Sequence, residues 1–228
     1  MEISLTRKII SYILKSIVII CAVTGTIMSA SAGRDTFMGG GGVFMYFTIQ
    51  SNIAIALVCL VGAFFLIKTT YIKNIWFVIK FVITISITLT GAVFCFVLAP
   101  TLGSFAWIPY NVLTHVVVPL SAIADFFVTG IYGDIKKISI LYVTIPPLLY
   151  VVYAGIGYVA GWEFMPGVNY PYFFLNWGSP AGAFGFSSEL PFMGCVWWIV
   201  ALLMLLVGLG YLYLFIVDQM KKRLSKEN

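Results

Sequence analysis

The sequence predicts an all-α integral membrane protein, one bundle of six transmembrane helices with both termini in the cytoplasm. Three observations predict it. Apolar residues make up 61% of the 228 residues and charged residues only 9%, with a mean hydropathy of +1.05. A soluble core cannot hide that much apolar surface, whereas a bilayer accepts it. Six apolar runs reach the roughly 20 residues that a helical span needs. The lysines and arginines gather in alternate connections, as the positive-inside bias requires.

The runs lie near residues 9–30, 43–67, 75–99, 108–131, 138–160 and 191–217. The segments between them are short except 161–190, which leaves no room for a soluble domain, so residues 1–228 read as a single domain. Arg7, Lys8 and Lys15 flank the first span, and Lys68, Lys73 and Lys80 surround the second turn. Lys136 and Lys137 lie between the fourth and fifth spans, and Lys221, Lys222, Arg223 and Lys226 form the tail. Arg34 alone lies opposite, so both termini are expected in the cytoplasm of what reads as a bacterial cell membrane. The net charge of +5 follows from this bias and from attraction to anionic lipid. No basic stripe with interleaved aromatics lies outside the spans, so the charge does not point to nucleic acid.

Basic residues, an apolar run and Ala30-Ser31-Ala32 together imitate a cleaved secretory signal. The run is long for a signal core, and an uncleaved first span is the better reading. Cys21, Cys59, Cys95 and Cys195 all fall in spans without metal-ligand spacing and read as small apolar residues. No metal and no cofactor is expected. The run Gly155-Ile156-Gly157-Tyr158-Val159-Ala160 matches the dinucleotide pattern GxGxxA but has no preceding strand, so that reading fails. Gly157 and Gly161 instead have the small-xxx-small spacing of close helix packing. The glycines from Gly39 to Gly42 read as a flexible outer loop, with a weaker reading as amide donors to an anion.

The chemistry-bearing residues are few. His115 is the only histidine, and it lies about two turns inside the fourth span. Ionisable groups at such a depth are costly and usually face a bundle interior or a wet cavity. Thr48 lies about five residues inside the second span, which runs in the same direction, so both residues sit roughly 7–11 Å below the outer boundary. A base must reach the hydroxyl it deprotonates, and the shared depth meets that condition. Thr48, Ser51 and Asn52 share a helix face by their i, i+3, i+4 spacing. Asn111 lies one turn before His115 and is a candidate to orient its ring. Gln50, Ser51 and Asn52 are candidate donors to an oxyanion. Asp125 is a secondary polar residue about 15 Å deeper, too far to complete a triad.

Each residue also has a plain structural reading. Thr48 also reads as a hydroxyl bonded to a carbonyl one turn back, and Ser51 and Asn52 as interhelical glue. His115 could lock packing, and Asp125 could cap a helix or pair with Lys136.

Tyr46-Phe47-Thr48-Ile49-Gln50-Ser51-Asn52, together with His115-Val116-Val117-Val118-Pro119-Leu120 continuing to Asp125, resembles the paired signatures of one family. It is the FAR-type membrane family of androgen-induced and androgen-dependent TFPI-regulating proteins, here in its bacterial branch. The resemblance implies six spans; the eukaryotic members are threonine hydrolases of fatty acid esters of hydroxy fatty acids, and by position in the motifs their nucleophile corresponds to Thr48 and their essential histidine to His115. Tyr170-Pro171-Tyr172-Phe173-Phe174-Leu175-Asn176 is similar to a Tyr-Pro-rich loop of that branch, which has an aspartate where this chain has Asn176. The expected activity is therefore an intramembrane lipid esterase acting on a fatty acyl ester, with lipid and bilayer as its partners. Two other classes compete: a small proton-coupled carrier that uses His115 and Asp125 as relays, and a non-catalytic lipid-binding protein.

Overall fold

The computed structural model describes residues 3–32, 40–67, 74–130 and 133–227. Among these residues six helices are long and apolar enough to cross a membrane: α1 (Leu5–Ala32), α2 (Phe47–Ile67), α3 (Asn74–Trp107), α4 (Pro109–Gly130), α5 (Lys137–Val159) and α6 (Cys195–Lys226). No strand occurs among them beyond two isolated bridges. Helices satisfy their own backbone groups, which hydrocarbon leaves no other way to do without a closed barrel. Six crossings bring both chain ends to one end of the bundle, called here the terminal end. The long α5–α6 connection lies at the other, the loop end. Arg34, Gly39, Lys68, Lys73 and Ile131 lie outside the described residues.

Two packed groups share α3 and α4. In the first, α1 runs antiparallel to α4, with Arg7 beside Val128 and Lys15 beside Asp125. In the same group α2 runs antiparallel to α3, with Ser51 beside Thr90. Val18, Ala22, Ile55, Ile87 and Val118 fill the space among these four helices. In the second group α5 and α6 close on α3 and α4 around Phe81, Phe126, Ile140, Leu206 and Tyr213. α3 is the most enclosed helix and α6 the least.

Several limits differ from the sequence reading, each for a local reason. α2 begins at Phe47, not near residue 43, because Gly40–Met45 coils as a tighter 3₁₀ turn with Gly40 at φ 58°. The three described glycines thus form an ordered turn into α2 and not a loose loop. α3 continues to Trp107, beyond the expected end near residue 99. Gly157 and Gly161 do not mediate helix packing as their spacing suggested. Gly161 takes φ 70° just past the end of α5, while Trp162 N–H bonds the Gly157 carbonyl at 2.8 Å and Gly161 N–H bonds that of Tyr158 at 3.3 Å. This is a Schellman end, which needs glycine at its left-handed position.

Two π turns interrupt the central helices, Phe94–Leu98 in α3 and Leu113–Val117 in α4. Each precedes a proline, Pro100 and Pro119. A proline ring crowds the carbonyl four residues earlier, here those of Phe96 and His115, and the wider turn gives that carbonyl room. α3 approaches the second π turn at Gly91, where a Cβ would lie 3.0 Å from the His115 carbonyl oxygen and 3.1 Å from Pro119 Cβ. A side chain there would press the π turn away by a few tenths of an ångström, so glycine lets α3 lie close against His115.

Candidate active site

Thr48 sits in the first turn of α2, and His115 in the π turn of α4. The parallel course of these helices brings Thr48 Oγ1 within 3.2 Å of His115 Nε2. Both side chains are buried. The threonine hydroxyl has no carbonyl one turn back among its partners, so the plain structural reading of Thr48 does not describe it.

The imidazole tautomer follows from its other nitrogen. His115 Nδ1 lies 3.0 Å from the Asn111 carbonyl oxygen, which can only accept, so Nδ1 carries the proton. Thr114 Oγ1 donates to the Tyr110 carbonyl at 2.8 Å and presents its lone pair to the same Nδ1–H at 3.0 Å. Nε2 therefore holds a lone pair toward Thr48, and the threonine O–H donates to it. A base with its far nitrogen anchored on a carbonyl is held in one ring orientation. Phe94, from the π turn of α3, stacks on the imidazole at 4.0 Å between centroids and 23° between planes. Asn111 thus orients the ring as expected, but through its backbone. Its side chain turns away to donate to the Phe105 carbonyl.

The other nominated residues have different tasks from those expected of oxyanion donors. Ser51 donates to the Thr48 carbonyl at 2.9 Å and contacts Thr90 Oγ1 at 2.8 Å. Asn52 Nδ2 donates both to the Thr48 carbonyl (2.8 Å) and to the Thr114 carbonyl (3.1 Å). It thereby ties the first turn of α2, which carries Thr48, to the residue preceding His115. Gln50 lies on another face and donates to the Phe44 carbonyl. All three side chains are engaged with backbone, and none of them lines the cleft described next.

Thr48 lies on the wall of a cleft with about 70 Å³ of free interior, open at its mouth, between α2, α3, α5, α6 and the α5–α6 connection. Its walls are almost wholly apolar, with Leu89, Val93, Leu148, Leu202 and Leu206 among them. His115 stands behind Thr48 and does not line the cleft.

Asp125 lies elsewhere. Its carboxylate binds Lys15 Nζ at 2.5 Å and Lys80 Nζ at 2.6 Å, all three side chains being buried, and Ser11 donates to the same oxygen as Lys15. Lys80 also donates to Thr129 Oγ1. The expected partner Lys136 is exposed and plays no part among these contacts. Lys15 and Lys80, read as flanking charges, are interior residues whose burial Asp125 makes tolerable.

Nothing matches the chain among family models, curated proteins or solved structures. The resemblance drawn from the two motifs accordingly stays with those residues.

Residue-by-residue reasoning passed over Tyr172 as a neighbour of Thr48. Its phenol oxygen lies 3.5 Å from Thr48 Oγ1 and 3.4 Å from Thr48 N, and its ring lines the cleft. The only signal was its place in the Tyr-Pro run quoted for the resemblance. Asn176, in the same run, accepts a bond from Gly178 N–H at 3.1 Å, the task of a turn residue.

Proposed function

We propose that this protein is an intramembrane hydrolase of a fatty acyl ester, with Thr48 as nucleophile and His115 as general base. The observation that carries the reading is the 3.2 Å contact between Thr48 Oγ1 and an Nε2 whose lone pair faces it, at the wall of an apolar cleft. A threonine hydroxyl is a weak nucleophile until an adjacent base takes its proton. The reaction begins when an acyl chain lies in the cleft with its ester carbonyl at Thr48. The Thr48 proton passes to His115 Nε2 as Oγ1 attacks. Collapse releases the alcohol, which takes that proton, and leaves an acyl ester on Thr48. Water activated by the same nitrogen then frees the fatty acid.

This is the activity implied by the resemblance to the FAR-type family, and membership of its bacterial branch is part of the proposal. So is placement in a bacterial cytoplasmic membrane with both termini inside. Arg7, Lys8, Lys136, Lys137 and the four basic residues of the tail support that orientation without the two interior lysines. The carrier reading needs Asp125 free to exchange protons along a polar path, and its two lysine partners weigh against it.

The test is turnover. Protein reconstituted in lipid and offered fatty acid esters of hydroxy fatty acids is expected to release free fatty acid. Thr48→Ala and His115→Ala should each lower the rate by at least about 10³-fold. Equal hydrolysis by wild type and Thr48→Ala would refute the assignment, and no hydrolysis of any acyl ester by wild type would favour the lipid-binding alternative.

A further inference from the structure

An acyl-transfer site needs a donor aimed at the oxygen on which negative charge develops, and removing one such donor typically costs 10²–10³-fold in rate. The side chains of Gln50, Ser51 and Asn52 are committed to backbone carbonyls and lie off the cleft. Tyr172 is placed differently. It comes from the α5–α6 connection, reaches over the N-terminal turn of α2, and lines the cleft beside Thr48.

We propose that Tyr172 is a catalytic residue whose phenol donates to the oxyanion formed when Thr48 attacks an acyl carbonyl, an inference that rests on the hydrolase reading.

Four observations carry it. The phenol oxygen stands 3.5 Å from the attacking oxygen, and both residues line the same cleft. Thr48 N–H donates to that phenol oxygen at 3.4 Å, and because the Thr48 O–H is given to His115 Nε2, the phenol proton is directed toward the attacking oxygen. The ring is held in place, stacked on Phe174 at 5.1 Å and 6° and edge-on to Tyr46 at 5.9 Å. Tyr46 in turn donates to the Phe164 carbonyl at 2.8 Å, fastening the connection to the start of α2. Finally, the site adjoins the first turn of a 21-residue helix, whose N-terminal partial positive charge favours an anion there. Enclosure of the hydroxyl raises the Tyr172 phenol above the ordinary tyrosine range, so it remains a protonated donor.

In the step itself the Thr48 Oγ1–carbon bond forms, and the carbonyl π pair moves onto oxygen. The Thr48 proton goes to His115 Nε2. Tyr172 keeps its proton throughout and only shares it with the oxyanion.

A long-chain alkyl fluorophosphonate imitates this step. Thr48 Oγ1 bonds phosphorus, fluoride leaves, and the P–O oxygen occupies the oxyanion position. Wild type, Tyr172→Phe and Thr48→Ala in lipid nanodiscs would be compared by labelling rate, with thermal unfolding as a check on folding. Tyr172→Phe is expected to unfold at the wild-type temperature and label about 10²-fold more slowly. Labelling within about threefold of wild type would overturn the role of Tyr172 while leaving the dyad intact, since a single good donor is worth far more. A wild-type protein that does not label at Thr48 would overturn the hydrolase reading itself. Should Tyr172→Phe be unstable, a fluorinated tyrosine at position 172 replaces it. Its more acidic phenol loses its proton at lower pH, so labelling should fall off at lower pH than in wild type, and an unchanged profile would overturn the proposal.

Discussion

Two sets of buried polar side chains lie along α4, and they differ in every respect that matters for chemistry. Toward the terminal end, Asp125 is enclosed by Lys15, Lys80 and Ser11. Toward the loop end, His115 faces Thr48, which opens on an apolar cleft flanked by Tyr172. The first set contains three formal charges, the second none. Charge without access makes a fastening: each ion is costly in hydrocarbon, and the one carboxylate bridges both ammonium groups. A neutral hydroxyl and imidazole are cheap to bury, and their contact keeps a lone pair and a proton available to whatever fills the cleft. Burial and polarity are shared by both regions. A neighbouring cleft and a neutral donor–acceptor pair belong to one.

That contrast predicts opposite responses to substitution, and the largest concerns stability. Asp125→Ala leaves two buried ammonium groups unmatched and should cost about 3–5 kcal/mol, read by thermal or denaturant unfolding in detergent. Thr48→Ala removes one neutral hydroxyl and should cost less than about 1 kcal/mol. The reverse order would mean that the acid cluster is not the fastening and that Thr48 is. A smaller effect sharpens the boundary between the two. Asn52 joins the α2 turn to the α4 turn through the Thr48 and Thr114 carbonyls. Asn52→Leu should therefore cost about 1 kcal/mol in stability, the measured scale for interhelical hydrogen bonds. It should also slow fluorophosphonate labelling by about tenfold, because small displacements of reacting groups are expensive. Unchanged labelling would show that the dyad is held without it.

The six spans were legible because hydrocarbon imposes both length and composition on a helix. The meeting of Thr48 and His115 was legible for a related reason: parallel spans carry residues of similar distance from their starts to one level. Other features were hidden by tertiary context. Lys15 and Lys80 look like boundary charges along the chain, and only the fold brings Asp125 between them. Residue type points the side chains of Asn52 and Asn111 at an oxyanion and at the imidazole, whereas the fold commits them to the Thr48, Thr114 and Phe105 carbonyls. Tyr172 lies in an irregular connection without helical or strand periodicity, so no spacing rule could place it above Thr48. The π turns were marked in the sequence only by Pro100 and Pro119, which say that a helix is disturbed but not how.

The most direct measurement is the identity of the residue that becomes covalently modified. Purified protein in nanodiscs would be treated with the long-chain fluorophosphonate and its peptides mapped by mass spectrometry. A single adduct on Thr48, absent in His115→Ala, is the predicted result. An adduct on another residue, or one on Thr48 that persists in His115→Ala, would contradict the dyad.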